Sequence, residues 1–142
     1  MPANPPDGYH TVTPQIVVND ARATIDFMEK VLDAEVKELY EDEGRVMHSE
    51  MTVGDSLVFV AEANEDFASF PAMLNVYVED VDATFARALE AGATAIREPD
   101  DQFYGDRTGG VLDEQGNQWW VSTHIEDVSE EEMRRRMAEL SG

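Results

Sequence analysis

The chain has 142 residues, of which 31 are acidic and 10 are Lys or Arg, and its formal net charge is −21. Such a surface repels phosphate and argues against nucleic acid or an anionic membrane as a partner. The lack of cysteine excludes disulfides, thiolate metal sites and a cysteine nucleophile. Because no membrane-spanning segment or signal peptide is recognisable, we expect a soluble, cytoplasmic protein that folds as one domain, residues 1–142.

The acidity has two explanations that remain open. The acidic residues are spread along the chain rather than clustered, and this favours a general role in solubility, for example in high salt. The alternative is an acidic cleft that binds a cationic ligand.

The predicted elements occur in the same order twice. In the first copy, Asp20 is a predicted N-cap, and apolar residues recur at helical spacing from Ala21 to Leu32. Gly54-Asp55 is a strong hairpin turn signal. The strands of this copy are predicted at residues 11–18, 34–40, 45–53 and 57–63.

The second copy begins after a loop at residues 64–71. It contains a helix predicted at residues 81–91, which ends at Gly92. Ser129 with Glu132 forms a capping box that predicts a C-terminal surface helix. The strands of this copy are predicted at residues 73–78, 93–97, 108–112 and 118–124.

These features resemble the glyoxalase/bleomycin-resistance/dioxygenase superfamily, also called vicinal oxygen chelate proteins, over about residues 9–127. The resemblance rests on the doubled unit, the aspartate-capped helices and residues 113–117 before the last strand. Residues 101–107 with the Trp119-Trp120 pair resemble a glyoxalase-like branch.

This resemblance implies an α+β fold in which two βαβββ modules form a curved mixed sheet around a cleft. The modules are expected at about residues 9–63 and 73–127, followed by a helix at 129–140. A homodimer is also implied, because members of the superfamily usually pair.

Metal-using members place two ligands per module in the cleft, one on the first strand and one on the last. Counting from the capping aspartates and the glycine turns, these positions hold Thr13, Val58, Met73 and Trp120. A hydroxyl, an isopropyl group, a thioether and an indole do not make a catalytic metal site. A one-residue shift in register offers no better ligands. We therefore expect neither a metal nor a cofactor.

His48 and Glu50 lie two residues apart on a predicted strand and point to one face. Such a pair serves acid–base chemistry or binds a metal, or is a solvent-facing or cross-strand pair without a catalytic role. A two-residue turn would place both on the face of Leu57 and Phe59.

A ligand pocket is predicted where polar and aromatic residues alternate along the two first strands. Gln15, Asn75 and Tyr77 are in phase with Thr13 and Met73, and are expected to line one cleft with Trp120. Such a pocket suits a neutral or amphipathic small molecule.

Arg107 follows the aromatic pair Phe103-Tyr104, and Tyr104 joins the predicted pocket. The arginine is a candidate to bind a carboxylate or phosphate of the ligand. The alternative is an internal aspartate–arginine bridge that fixes a loop.

The predicted function is small-molecule binding without a catalytic metal. One alternative is a metal-dependent lyase, isomerase or dioxygenase. Another is a metal-free enzyme in which His48 and Glu50 act as base and orienting group. The fold does not choose among them, because one scaffold hosts unrelated chemistries.

Overall fold

A computed structural model describes residues 1–142, which form two compact units, Met1–Ala72 and Met73–Gly142. The α+β class and the doubled βαβββ order are confirmed. The first unit contains β1 (Gln15–Val18), α1 (Ala21–Leu32), β2 (Glu35–Asp42), β3 (Arg45–Val53) and β4 (Ser56–Glu62). The second contains β5 (Met73–Tyr77), α2 (Val81–Glu90), β6 (Thr94–Asp101), β7 (Asp106–Leu112), β8 (Gln118–His124) and α3 (Glu130–Ser141).

Each unit has one four-stranded mixed sheet with the same topology. The strand order is β1-β4-β3-β2 in the first sheet and β5-β8-β7-β6 in the second. The first strand pairs in parallel with the last, and the other pairs are antiparallel. None of the three helices is long and apolar enough to cross a membrane.

The helices begin where the capping residues predict. The Asp20 side chain accepts a hydrogen bond from the Ala23 amide at 3.1 Å, and Asp80 accepts one from Ala83 at 3.1 Å. Ser129 caps α3 in the same way through the amide of Glu132. Each cap satisfies a backbone donor that the first turn leaves unpaired, so the helices start at fixed residues.

Each long helix covers one face of its own sheet. In the first unit α1 packs against β1, β3 and β4, and strand residues Met51 and Val58 are buried with it. In the second unit α2 packs against β6, β7 and β8, with Val111 and Trp119 buried. Because side chains alternate along a strand, the intervening residues lie on the face opposite to the helix.

Two strand boundaries differ from the predicted ones by four residues, and the others differ by two or fewer. β1 starts at Gln15 rather than residue 11, because pairing with β4 begins at Gln15 opposite Phe59. β6 continues to Asp101, with register shifts beyond Ala95 and Arg97. Pro99 is tolerated in β6 because this is an edge strand, where a missing N–H breaks no interior ladder.

The C-terminal helix is attached to the second unit mainly through Arg136. Its guanidinium donates to both carboxylate oxygens of Glu126 at 2.9 Å and to the Phe103 carbonyl at 2.8 Å. Hydrogen bonds from Arg135 and Arg136 lower the pKa of Glu132 to about 2. These contacts hold α3 beside the turn that precedes β7.

Candidate functional site

The strand register brings His48 and Glu50 onto the face opposite to α1. Glu50 lies opposite Phe59 on β4, and Phe59 lies opposite Gln15 on β1. The β3–β4 turn has two residues, because Val53 pairs with Ser56, so this condition of the prediction is met. We call the residues Gln15, His48, Glu50 and Phe59 the Glu50 face.

Glu50 is a buried carboxylate with two side-chain donors. Only 6% of the residue is exposed. One carboxylate oxygen accepts a hydrogen bond from the Tyr9 hydroxyl, and the other lies 2.8 Å from His48 Nε2. Burial raises the pKa of Glu50, but the hydrogen bonds from Tyr9 and His48 outweigh burial, and the pKa is lowered overall. The group is therefore an ionised, desolvated acceptor.

The His48 ring is fixed between two aromatic residues. It packs edge-on against Phe59, with ring centroids 4.8 Å apart, and stacks near Tyr40 at 6.3 Å. When the neutral imidazole donates through Nε2 to Glu50, Nδ1 is left as the acceptor. About a third of the His48 side chain is exposed (34%), so a small molecule can reach the ring.

In the second unit, Trp120 lies on the face opposite to α2, where it pairs with Asn75 and Gly110. A Cβ atom at Gly110 would come within 2.6 Å of the indole, so the ring lies across this glycine. Gly109 faces the other way, because a Cβ there would meet Phe85 of α2 at 3.2 Å. The glycine pair thus makes room for the indole on one side and the helix on the other.

Three predicted pocket residues share this surface with Trp120. Met73, Asn75 and Tyr77 are exposed at alternate positions of β5, as the sequence predicts for one face. The Trp120 indole N–H donates to Gln118 at 3.0 Å, and the Arg97 guanidinium lies 5.5 Å from the ring centroid. We call this surface, residues Met73, Asn75, Tyr77, Arg97, Gly110 and Trp120, the Trp120 face.

Arg107 is not brought together with Trp120. It alternates with Thr108 and Gly110 along β7 and therefore lies on the α2 side. Its guanidinium donates to both carboxylate oxygens of Asp82 at 2.9 and 3.0 Å, and to Asp101 at 3.0 Å. These hydrogen bonds lower the pKa of Asp82. Arg107 therefore forms an internal aspartate–arginine bridge, which was the alternative to ligand binding. Its partners are Asp82 and Asp101.

The remaining predicted pocket residues are more scattered. Tyr104 lies in the turn before β7, where its ring packs edge-on against Phe103 at 5.3 Å. Gln15 begins β1 on the Glu50 face, and Thr13 precedes it. Thr13 lines a small cavity of about 100 Å³ together with Gly8, His10, Thr52, Asp55 and Leu57.

A second buried carboxylate, missed as a site by the sequence reasoning, lies in the second unit. Asp106 is 6% exposed and accepts hydrogen bonds from the Tyr77 hydroxyl at 2.7 Å and from His124 Nδ1 at 2.8 Å. The other ring nitrogen of His124 lies 2.7 Å from Asp127. The sequence signals this site only through a tyrosine, an aspartate and a histidine on three different strands. To predict that their side chains meet, the pairing register of those strands must be known.

His124 should make stability depend on pH. Hydrogen bonds to Asp106 and then to Asp127 raise the pKa of His124 above its usual value of ~6.5. Because the pKa is raised in the folded protein, the contribution of His124 to stability is complete below about pH 6.5. This contribution is lost as the pH rises through the pKa of the folded state. We expect the difference in unfolding free energy between wild type and His124→Gln to be largest near pH 6 and to shrink toward pH 9, as measured by urea denaturation. A difference for His124→Gln that stays constant across this pH range contradicts the assignment.

The positions of the superfamily's metal ligands can be placed from the register. Gln15 pairs with Phe59 as Asn75 pairs with Trp120, so Phe59 rather than Val58 is the counterpart of Trp120. The one-residue difference arises because Phe59 lies three residues after the first paired residue of β4, Ser56. Trp120 lies only two residues after the first paired residue of β8, Gln118. No group of three or more His, Asp or Glu side chains is arranged to hold a metal ion. The aromatic pair Phe59 and Trp120, with Thr13 and Met73, does not fit such an ion.

Solved structures share this fold. TioX from Micromonospora sp. ML1 superimposes with a TM-score of 0.70 at 22% identity, over 82% of this chain and 99% of that chain. A glyoxalase/bleomycin resistance protein/dioxygenase family enzyme from Burkholderia phytofirmans PsJN gives a TM-score of 0.65 at 20% identity, over 80% and 97% of the two chains. At these identities the likeness establishes the fold alone.

Curated relatives and a family model identify the superfamily. The uncharacterised proteins Rv0887c of Mycobacterium tuberculosis H37Rv and Mb0911c of Mycobacterium bovis are each 31% identical to this chain, over 89% of it, and are covered to 82% and 91% of their own lengths. The model of the Glyoxalase/Bleomycin resistance protein/Dioxygenase superfamily matches residues 9–121. The resemblance found in the sequence is thus confirmed, and the chain belongs to the Glyoxalase/Bleomycin resistance protein/Dioxygenase superfamily.

Proposed function

We propose that this protein binds a small organic molecule on the Trp120 face, without a catalytic metal. The observation that carries the proposal is the indole of Trp120, which lies across Gly110 on the surface that also presents Asn75 and Tyr77. An aromatic plane beside amide and hydroxyl groups suits a flat, partly apolar ligand. Arg107 is left out of this site because Asp82 and Asp101 occupy its donors.

Replacement of Trp120 by alanine should weaken binding of any such ligand about fivefold, because an aromatic contact of this kind contributes about 1 kcal/mol. A thermal-shift screen of planar aromatic drugs and small metabolites identifies the hits, and calorimetry measures their affinities. Phe67→Ala, which removes an exposed aromatic ring of the first unit, is the matched control and should leave affinity unchanged. If Trp120→Ala keeps its fold and binds every hit as tightly as wild type, the ligand site is elsewhere.

The metal-free part of the proposal rests on donor chemistry. The positions that ligate a metal in metal-using relatives hold Thr13, Phe59, Met73 and Trp120 here, which together offer one weak oxygen donor. We expect elemental analysis of the purified chain to find no stoichiometric zinc, nickel, manganese or iron. One ion per chain, removed by a chelator together with ligand binding, would contradict this and favour the metal-dependent enzyme.

A second candidate function is metal-free acid–base catalysis on the Glu50 face. The observation that favours it is the buried, ionised Glu50, which accepts from His48 Nε2 at 2.8 Å. In this role Glu50 orients the imidazole, and Nδ1 removes a proton from a carbon next to a carbonyl group. The electron pair of the broken C–H bond moves onto the carbonyl oxygen to give an enolate, and Nδ1 then returns a proton, or in heavy water a deuteron, to the same carbon.

Proton exchange in heavy water tests the catalytic candidate. We expect the protein to exchange the α-protons of some members of a panel of small hydroxyketones and ketoacids, followed by NMR. His48→Gln and Glu50→Gln should each slow the exchange at least about a hundredfold, the usual contribution of a positioned base. His124→Gln, which removes the histidine of β8 in the second unit, serves as the control. Exchange that persists at the wild-type rate in both variants removes these residues from any catalytic role.

We also propose that two copies of the chain associate. The edge strands β2 and β6 carry the exposed apolar residues Val36 and Ile96, and such edges are usually covered. Closed two-fold pairing is the commonest solution among oligomers.

Light scattering should give about twice the chain mass of 15.9 kDa at micromolar concentration. A monomer in both low and high salt would overturn the dimer. A monomer only in low salt would indicate that repulsion at a net charge of −21 opposes pairing, since salt screens it.

A further inference from the structure

The segment that precedes β1 touches the Glu50 face through one aromatic side chain. Residues 1–8 are exposed, whereas Tyr9 is partly buried. The Tyr9 hydroxyl donates to Glu50, and the Lys37 ammonium lies 3.8 Å from the centroid of the Tyr9 ring. We call residues 1–13 the N-terminal arm. From Pro14 onward the chain is held by β4, because the Phe59 amide donates to the Pro14 carbonyl at 2.9 Å.

The contacts of Tyr9 are those that a bound phenol would make. Its hydroxyl meets a buried, ionised carboxylate, and its ring face meets an ammonium group. The hydrogen bond to Glu50 raises the pKa of Tyr9 to about 12, so the hydroxyl stays a protonated donor at neutral pH. A charged acceptor makes a stronger hydrogen bond than a neutral one, and a cation over a ring adds further attraction.

Space for a ligand exists next to this contact. The cavity of about 100 Å³ is lined by Gly8, His10 and Thr13 of the arm and by Thr52 and Leu57 of the hairpin. Thr52 and Leu57 are register partners that follow Glu50 and precede Phe59 on the same face. A molecule that displaced Tyr9 would therefore find room for a ring substituent between the arm and the hairpin.

We propose that the Glu50 face is a binding site for phenols and that Tyr9 occupies it as a tethered internal ligand. The site takes a neutral aromatic molecule with a hydroxyl donor, which binds Glu50 while its ring lies beneath Lys37. Aromatic carboxylates are rejected, because Glu50 and the neighbouring Glu38 repel a second negative charge. The inference rests on the proposal that the protein binds small organic molecules, and it assigns the Glu50 face its ligand class.

Titration with 4-fluorophenol tests the proposal on the full chain, with fluorine NMR to measure affinity and the His48 ring signals to locate the probe. Removal of the tether in Tyr9→Ala should tighten binding at least about tenfold, since a tethered group competes at millimolar effective concentration. Glu50→Gln in the Tyr9→Ala background should weaken binding by a similar factor. Phe67→Ala, which removes an exposed aromatic ring outside the Glu50 face, is the control and should not tighten binding.

Two further measurements separate a ligand site from a cavity left by the mutation. Fluorobenzene lacks the hydroxyl and should bind Tyr9→Ala at least about tenfold more weakly than 4-fluorophenol, since the hydrogen bond to a charged acceptor is lost. In wild type, saturating 4-fluorophenol should release the arm and speed chymotrypsin cleavage after Tyr9. Equal binding of both probes, or an arm that stays protected at every probe concentration, overturns the proposal.

If Tyr9→Ala folds poorly, a second variant tests the same proposal. Tyr9→Phe keeps the ring and loses the hydroxyl, so its arm should be cleaved faster than that of wild type and its affinity for 4-fluorophenol should rise. Unchanged cleavage and affinity in Tyr9→Phe also overturn the proposal.

If 4-fluorophenol does not bind the Glu50 face while binding of the screen hits still depends on Trp120, only this inference is contradicted. If the screen finds no ligand on the Trp120 face, the proposed function falls separately.

Discussion

A buried carboxylate must be supplied with hydrogen-bond donors, and this requirement organises the face of each sheet that lies opposite to its helix. An ionised group loses its water on burial, at a cost that only donors or opposite charges offset. Glu50 on β3 obtains a tyrosine hydroxyl and a histidine, and Asp106 on β7 obtains the same two kinds of donor. The two carboxylates lie on corresponding strands of the two modules. The positions of Tyr9, His48, Tyr77 and His124 follow from this single demand.

The same demand explains why chemistry is concentrated on the faces away from the helices. The helix-covered faces are filled mainly by apolar side chains such as Met51, Val58 and Val111, which are closely packed. The opposite faces carry carboxylates, imidazoles and a partly exposed indole, which hydrogen-bond and stack rather than fill volume. Each module therefore separates the residues that stabilise it from those available to a ligand.

Much of the fold was predictable because its signals are local. Capping residues Asp20, Asp80 and Ser129 fix the helix starts, and the Gly54-Asp55 turn fixes the β3–β4 hairpin. The site was less predictable, because cross-strand pairing depends on register. Phe59 rather than Val58 is level with Gln15, a difference of one residue that reverses the face. The side of β7 on which Arg107 lies also depends on strand register. It becomes clear only from the surroundings of the glycine pair that follows, since Gly109 faces α2 and Gly110 faces Trp120.

The parallel pairing of first and last strands has a consequence for how each module is built. Gln15 meets Phe59, and Asn75 meets Trp120, so β1 and β5 have no partner in their sheets until the whole module has left the ribosome. Contacts between residues so distant in sequence are slow to form, because the intervening chain loses its freedom before the pairing is gained. The nascent chain thus carries an apolar strand, residues 16–18, that lacks its strand partner for most of the synthesis of the first module. Its high negative charge keeps such incomplete chains apart by mutual repulsion during that interval.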